Sequence, residues 1–87
     1  MVSFDYVIKD PMGLHARPVG VMVKAAALFK ATKVTISHNG ESADGRRMFA
    51  ILGLQVKQGD TITVSTEGDN EQELADNIRG IFQTENL

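Results

Sequence analysis

The alternation of apolar and polar residues predicts strands in three parts of the chain. Apolar side chains stand at every second position in the series Val2, Phe4, Tyr6 and Ile8, in the pair Val34 and Ile36, and in the pair Ile62 and Val64. A period of two places such side chains on one face, so each strand is apolar on one side only. Asn39-Gly40 suits a tight turn with positive φ, which predicts a hairpin leading to a weaker strand at 41–43.

Two other stretches repeat their apolar residues at helical spacing. The first contains Val19, Met22, Val23, Ala26 and Phe29 and predicts a helix over 16–29. The second contains Leu74, Ile78, Ile81 and Phe82. It follows the acidic residues Asp69, Glu71 and Glu73, whose charge is favourable at a helix N-terminus. The segment 46–54 is too short for a long helix and lacks alternation, so it predicts a short one.

The predicted order of elements is βαββαβα, which indicates an α+β protein. Strands with one apolar face need a cover on that face alone, so we expect all three helices on one side of a mainly antiparallel sheet. The other face of the sheet should be in contact with water. A chain of 87 residues is too short for two independent cores, and we therefore expect a single domain over 1–87.

Composition narrows the functional classes. Hydrophobic residues make up 43% and charged residues 23%, as in ordinary folded domains. The net charge of -2 argues against nucleic-acid binding, and the absence of cysteine excludes disulfides and thiolate chemistry. Two histidines without matching acidic ligands argue against a metal site. No apolar run approaches the roughly 20 residues of a membrane span, and the N-terminus lacks signal-peptide features. We expect a cytoplasmic protein without membrane insertion or cofactor.

The segment 13–18, GLHARP, contains the strongest candidate for chemistry. Pro18 has no amide hydrogen and is tolerated only in the first turn of a helix, which places His15 near the N-cap. The amides of Ala16 and Arg17 then have no carbonyl partner within the helix, and the helix dipole adds positive charge beside the imidazole. This arrangement favours an anion, and it favours the neutral, nucleophilic form of the ring.

A phosphoryl group on His15 would meet these amides and the guanidinium of Arg17, which can bind phosphate oxygens through two hydrogen bonds. The alternative is that His15 is only a poor N-cap and Arg17 a solvated charge. The combination favours the phosphate site, because Gly13 gives the turn its freedom, Leu14 can anchor it and Pro18 determines where the helix begins.

In these residues the sequence resembles the HPr family, the histidine-containing phosphocarriers of the bacterial phosphoenolpyruvate-dependent sugar phosphotransferase system. The likeness covers the whole chain and rests on GLHARP at 13–18, the NG turn at 39–40, the apolar segment 48–54, Gly59, and the turn at Glu67-Gly68. The resemblance implies a strand order of 1-4-2-3 in an open-faced β-sandwich. It also implies that His15 accepts phosphate from phosphorylated enzyme I and donates it to enzyme IIA domains, and that Arg17 stabilises the phosphohistidine.

A second candidate is an apolar cluster of Met48, Phe49 and Leu52 on the predicted short helix. Such a cluster is usually core, but Ile51 and Leu54 can supply the buried side of this helix and leave the rest exposed. An exposed apolar centre with a basic rim would dock acidic partners, and the resemblance implies a partner surface at the same place. The rim would consist of Lys24, Arg46 and Arg47.

Two residues qualify this interpretation. Arg47 stands where many HPr proteins have a regulatory serine, so the resemblance implies no phosphoserine control at this position. His38 precedes the Asn-Gly turn, and we expect it to be a surface residue without a role in catalysis.

The chief alternative function is a regulatory HPr-like module that docks partners without relaying phosphate. In either case the resemblance gives no reason to expect more than a monomer.

Overall fold

The computed structural model describes all 87 residues and contains four strands and three helices. The strands are β1 (Val2–Val7), β2 (Thr32–His38), β3 (Glu41–Asp44) and β4 (Thr61–Gly68). The helices are α1 (Ala16–Ala27), α2 (Met48–Leu52) and α3 (Glu71–Thr84). The order βαββαβα and the short α2 are as predicted. No helix is long and apolar enough to cross a bilayer.

The four strands form one antiparallel sheet in the order β1-β4-β2-β3, as the resemblance implied. Its register brings apolar residues into one row across all four strands: Phe4 lies opposite Val64, Val64 opposite Ile36, and Ile36 opposite Ala43. All four side chains are buried. The other face carries polar pairs such as Thr63 and Asp5, whose side chains are hydrogen-bonded. The sheet is therefore apolar on one side only.

The helices cover the apolar face with the stripes that the sequence pattern indicated. The buried residues are Pro18, Val19, Met22 and Ala26 of α1, Ile51 of α2, and Leu74, Ala75, Ile78 and Phe82 of α3. The ring of Phe82 lies 6.3 Å from that of Phe4 and 5.0 Å from that of Tyr6, which joins α3 to β1. Full burial of each large apolar side chain stabilises the fold by roughly 1.5–3 kcal/mol.

The first helix ends two residues before the predicted boundary. Leu28 and Phe29 donate their amides to Ala25 and Ala26, three residues back, so the last turn tightens and α1 ends at Ala27. The side chain of Leu28 is consequently 82% exposed. The apolar spacing predicted the buried face of α1 correctly, but it predicted the C-terminal end of the helix two residues too late.

Arg46 occupies a different position from the one the sequence suggested. Its Nη2 donates to the carbonyls of Ala26 at 3.0 Å and Thr32 at 2.6 Å, and also to that of Phe29. The guanidinium therefore satisfies carbonyls at and after the C-terminal end of α1, where a positive charge is also favourable. Arg46 is thus half-buried with its charged group bound to backbone carbonyls, whereas the sequence suggested a fully exposed rim residue.

His38 is buried, and the expectation of a surface histidine is wrong. Only 7% of the residue is exposed, Nδ1 lies 3.1 Å from the carbonyl oxygen of Leu54, and Nε2 lies 3.0 Å from Oδ2 of Asp60. The same Oδ2 accepts the amide of Lys57. This amide, and then His38, lower the pKa of Asp60 below its ordinary 3.8. The contacts tie the end of β2 to the loop before β4.

Replacing Arg46 with alanine should destabilise the protein. Arg46→Ala removes the donor to the carbonyls of Ala26, Phe29 and Thr32, and we expect the free energy of unfolding to fall by about 1–3 kcal/mol. Arg47→Ala is the matched control, because Arg47 is exposed and its side chain makes no hydrogen bond; its effect should stay within about 0.5 kcal/mol. Urea unfolding measures both, and equal losses in the two variants would contradict this role.

The lowered pKa of Asp60 should make stability depend on pH in acid. Because the pKa of Asp60 is lowered in the folded state, its contribution is fully present above about 3.8 and is lost as the pH falls through the folded value. Between pH 6 and pH 2.5 the wild type should therefore lose more free energy of unfolding than Asp60→Asn. Urea titrations across this range give the two profiles, and parallel profiles would exclude the contribution.

Candidate functional site

The loop between β1 and α1 is held by its backbone. Gly13 has φ of 69°, donates its amide to the carbonyl of Asp10 at 2.8 Å, and lies so close to the carbonyl of Val56 that a Cβ would collide with it. Leu14 is buried and donates its amide to the same Val56 carbonyl at 3.1 Å. Only glycine fits position 13 without rearrangement, and this turn determines where His15 stands.

His15 is the N-cap of α1, as predicted. Its backbone is extended and its carbonyl accepts the amide of Val19 at 3.2 Å, but its side chain makes no capping bond. The amides of Ala16 and Arg17 have no hydrogen-bond acceptor, and Pro18, which is buried, has no amide hydrogen to satisfy. Two donors and the positive end of a 12-residue helix therefore lie next to the imidazole.

The imidazole has a partner that the sequence analysis missed. Nε2 of His15 lies 2.9 Å from Oδ2 of Asp10, while Nδ1 has no hydrogen-bond partner. Oδ1 of Asp10 accepts the amide of Met12 at 2.9 Å. That backbone bond, and then His15, lower the pKa of Asp10 below 3.8, so the carboxylate is charged at neutral pH. An acidic residue two positions before the amide it accepts is the available sequence signal.

A cavity of about 250 Å³ lies in front of His15. Asp10, His15, Arg17 and Pro18 line one side, and residues 84–86 at the end of α3 line the other. In liquid water each molecule takes up roughly 30 Å³, so this cavity has room for a tetrahedral anion. The side chain of His15 is 24% exposed, which leaves the ring accessible from the cavity. A phosphoryl acceptor needs an accessible ring and room for an anion, and this site has both.

Arg17 lies at the cavity with its guanidinium largely in solvent. Its side chain is 85% exposed, and its nearest acidic partner is Glu85, which the sequence analysis did not single out, with Nε and Oε1 3.8 Å apart. A contact at this distance on an exposed arginine is weak. The guanidinium is therefore available to a more highly charged anion bound at the helix N-terminus.

The predicted docking residues do not all share one environment. Phe49 is 85% exposed, whereas Met48 and Leu52 are half-buried against the core, and Ile51 is fully buried. The exposed apolar side chain of this group is thus chiefly that of Phe49. Of the three predicted basic residues, Lys24 and Arg47 are exposed and Arg46 is half-buried.

The predicted docking residues adjoin the histidine site along α1. Arg17, Gly20 and Lys24 follow one another at spacings of three and four, which places them on one face of the helix. The methyl carbon of Met48 lies 3.3 Å from where a Cβ on Gly20 would stand, so α2 packs directly over this face. One continuous surface therefore carries the histidine, the arginine and the exposed aromatic ring.

Comparison with known proteins gives consistent results in sequence and structure. Residues 2–84 match the PTS-HPr family, described as the PTS HPr component phosphorylation site. The chain is 31% identical to phosphocarrier protein HPr of Mycoplasma pneumoniae over 83 residues, 95% of this chain and 94% of that protein. It is 32% identical to HPr of Haemophilus influenzae over 84 residues, 97% of this chain and 98% of that protein. The crystal structure of HPr-C-His from Thermoanaerobacter tengcongensis superimposes with a TM-score of 0.88 at 27% identity, covering 97% of this chain and 93% of that one.

Proposed function

This chain belongs to the HPr family of phosphocarrier proteins, and from that premise we propose that it relays a phosphoryl group through His15 in the phosphotransferase system. The donor is phosphorylated enzyme I and the acceptors are enzyme IIA domains that serve sugar uptake. Residues 1–87 act as one carrier domain, as a monomer in the cytoplasm. The single observation that carries the proposal is the accessible imidazole beside two unpaired helix amides.

The contacts of His15 select Nδ1 as the atom that accepts the phosphoryl group. Asp10 faces Nε2, and a carboxylate only accepts hydrogen bonds, so the proton of the neutral ring is on Nε2 and the lone pair on Nδ1. That lone pair attacks phosphorus and forms an N–P bond. The bond between phosphorus and the donor breaks, and the donor keeps its electron pair.

The charge near His15 stabilises the transferred group without a cofactor. The amides of Ala16 and Arg17 donate to phosphoryl oxygens, and the helix N-terminus favours their charge. The guanidinium of Arg17, loosely held by Glu85 at 3.8 Å, turns to the dianion and binds two of its oxygens. Passing the group on requires that these donors hold it only moderately, because an over-stabilised phosphohistidine would not react further.

The surface around Phe49 docks the partner proteins. An aromatic side chain that is 85% exposed, together with the exposed cations Lys24 and Arg47, matches a partner with an apolar contact and an acidic rim. Its continuity with α1 brings a partner docked there over His15. Because Arg47 has no hydroxyl, a serine kinase has no substrate at this position, and the surface serves the relay without that form of control.

Replacing His15 should abolish phosphorylation. Incubation with phosphoenolpyruvate, magnesium and enzyme I should label the wild type and leave His15→Ala unlabelled, because the only other histidine, His38, is buried with both ring nitrogens occupied. Labelled wild-type protein should then pass its phosphate to a purified enzyme IIA. Label retained by His15→Ala would refute the site, and a labelled protein that is never a donor would favour the regulatory alternative.

Replacing Phe49 should weaken partner binding and leave the rate of phosphoryl transfer unchanged. For Phe49→Ala we expect the KM of enzyme I for this carrier to rise about tenfold, equivalent to about 1.4 kcal/mol, with little change in the maximal rate. Val7→Ala is the matched control, since Val7 is 49% exposed on β1 at the other side of the sheet. Steady-state phosphorylation gives both constants, and equal effects of the two variants would exclude docking through Phe49.

A further inference from the structure

We propose that Asp10 is a positioning residue of the relay, which holds the imidazole of His15 with its proton on Nε2 and thereby keeps Nδ1 nucleophilic. The inference rests on the proposed function for its consequences in phosphotransfer. The contact itself, and the tautomer that it imposes, are properties of the unphosphorylated protein. The two parts can therefore be tested separately.

Asp10 is held by its own loop and by the C-terminal residue Leu87. Its Oδ1 accepts the amide of Met12 at 2.9 Å and its carbonyl accepts the amide of Gly13 at 2.8 Å. Its own amide donates to the carbonyl of Leu87, a fully buried residue, at 3.1 Å. Oδ2 is the one oxygen left, and it points at Nε2 of His15 from 2.9 Å. The backbone contacts therefore fix the position of the carboxylate independently of the ring. A group held in this way needs no reorganisation during the reaction.

The contact determines the proton position in the free ring. The side chain of Asp10 is only 18% exposed, and a charged carboxylate there has no proton to donate. Nε2 must then be the donor, and the neutral ring keeps its lone pair on Nδ1. Asp10 is the one hydrogen-bond partner of the imidazole. Without it, both the orientation of the ring and its tautomer would be free to vary.

The contact also matters in the phosphorylated state. When the neutral ring attacks through Nδ1 it keeps the proton on Nε2, so the ring becomes positively charged as the N–P bond forms. A carboxylate 2.9 Å from that N–H stabilises the developing charge. A phosphorylated ring that stays protonated is also the better leaving group in the next transfer, because it departs as a neutral imidazole. Asp10 thus assists both directions of the relay.

Asp10→Asn tests this role, since asparagine keeps the turn and reverses the hydrogen bond. Its Oδ1 can still accept the amide of Met12, which places an NH₂ group at the former position of Oδ2. This donor requires an acceptor at Nε2 and so drives the proton to Nδ1. A wrong tautomer imposed by an Asp to Asn change is costly in enzymes that depend on histidine. We expect phosphorylation by enzyme I to slow at least about tenfold.

The chain supplies a matched control in Asp60→Asn. Asp60 likewise presents Oδ2 to Nε2 of a histidine and accepts a backbone amide, but its partner is the buried His38, away from the cavity. The same substitution there should leave the phosphorylation rate within about twofold of wild type. Both variants are assayed at a temperature where circular dichroism shows them folded, so that loss of stability does not enter the rates.

Ring ¹⁵N chemical shifts at high pH give the second readout. If the role of Asp10 were purely structural, replacing it would not change which ring nitrogen carries the proton. Wild type should carry the proton of His15 on Nε2, and Asp10→Asn should carry it on Nδ1. A wild-type ring with its proton on Nδ1 overturns the inference, and that measurement requires no variant to fold. An Asp10→Asn protein that keeps either the wild-type tautomer or the wild-type rate also overturns the inference. If enzyme I labels no protein at all, the proposed relay fails, while the shifts still decide whether Asp10 sets the tautomer.

Discussion

Burial of one face of the sheet is the constraint on which the rest of the molecule depends. The row formed by Phe4, Val64, Ile36 and Ala43 crosses every strand, and the apolar stripes of the helices can be covered only by packing on it. The chain leaving β1 must therefore rise from the sheet to the helix layer before α1 begins. The glycine turn at Gly13 makes that connection, and it leaves the N-terminus of α1 at the edge of the molecule with its first amides unpaired.

The two histidines show how depth rather than residue type determines reactivity. His15 and His38 both present Nε2 to an aspartate whose pKa is lowered by a backbone amide and by the ring. In His38 the Nδ1 faces a carbonyl and the residue is buried, so its contacts only tie the end of β2 to the segment before β4. In His15 the Nδ1 is unpaired and the ring opens to a cavity. The same pair of side chains is structural in one place and suited to phosphotransfer in the other.

Neighbouring charges in the segment before α2 are likewise separated by tertiary contacts. Arg46 turns inward to the carbonyls at the end of α1, while Arg47 remains in solvent beside Phe49. The inward arginine joins the segment that carries α2 to α1, and Met48 packs over Gly20 of the same helix. The exposed ring and the histidine site therefore lie on one face of the molecule.

The sequence by itself determined the parts of this protein that depend on local rules. Period-two and helical spacing predicted the elements and their buried faces, and Pro18 predicted the helix start that makes His15 the N-cap. Only the tertiary structure decided that Asp10 meets the ring, that Arg46 is turned inward and that His38 is buried. Arg46 and its acceptor Ala26 are 20 residues apart, and His38 and Asp60 are 22 apart, so no local pattern records either contact. Asp10 is near His15 in sequence, but the direction of its carboxylate depends on a turn fixed by Val56 from another part of the chain. Spacing along a chain determines which face a side chain occupies, whereas its partner depends on which distant segment packs against that face.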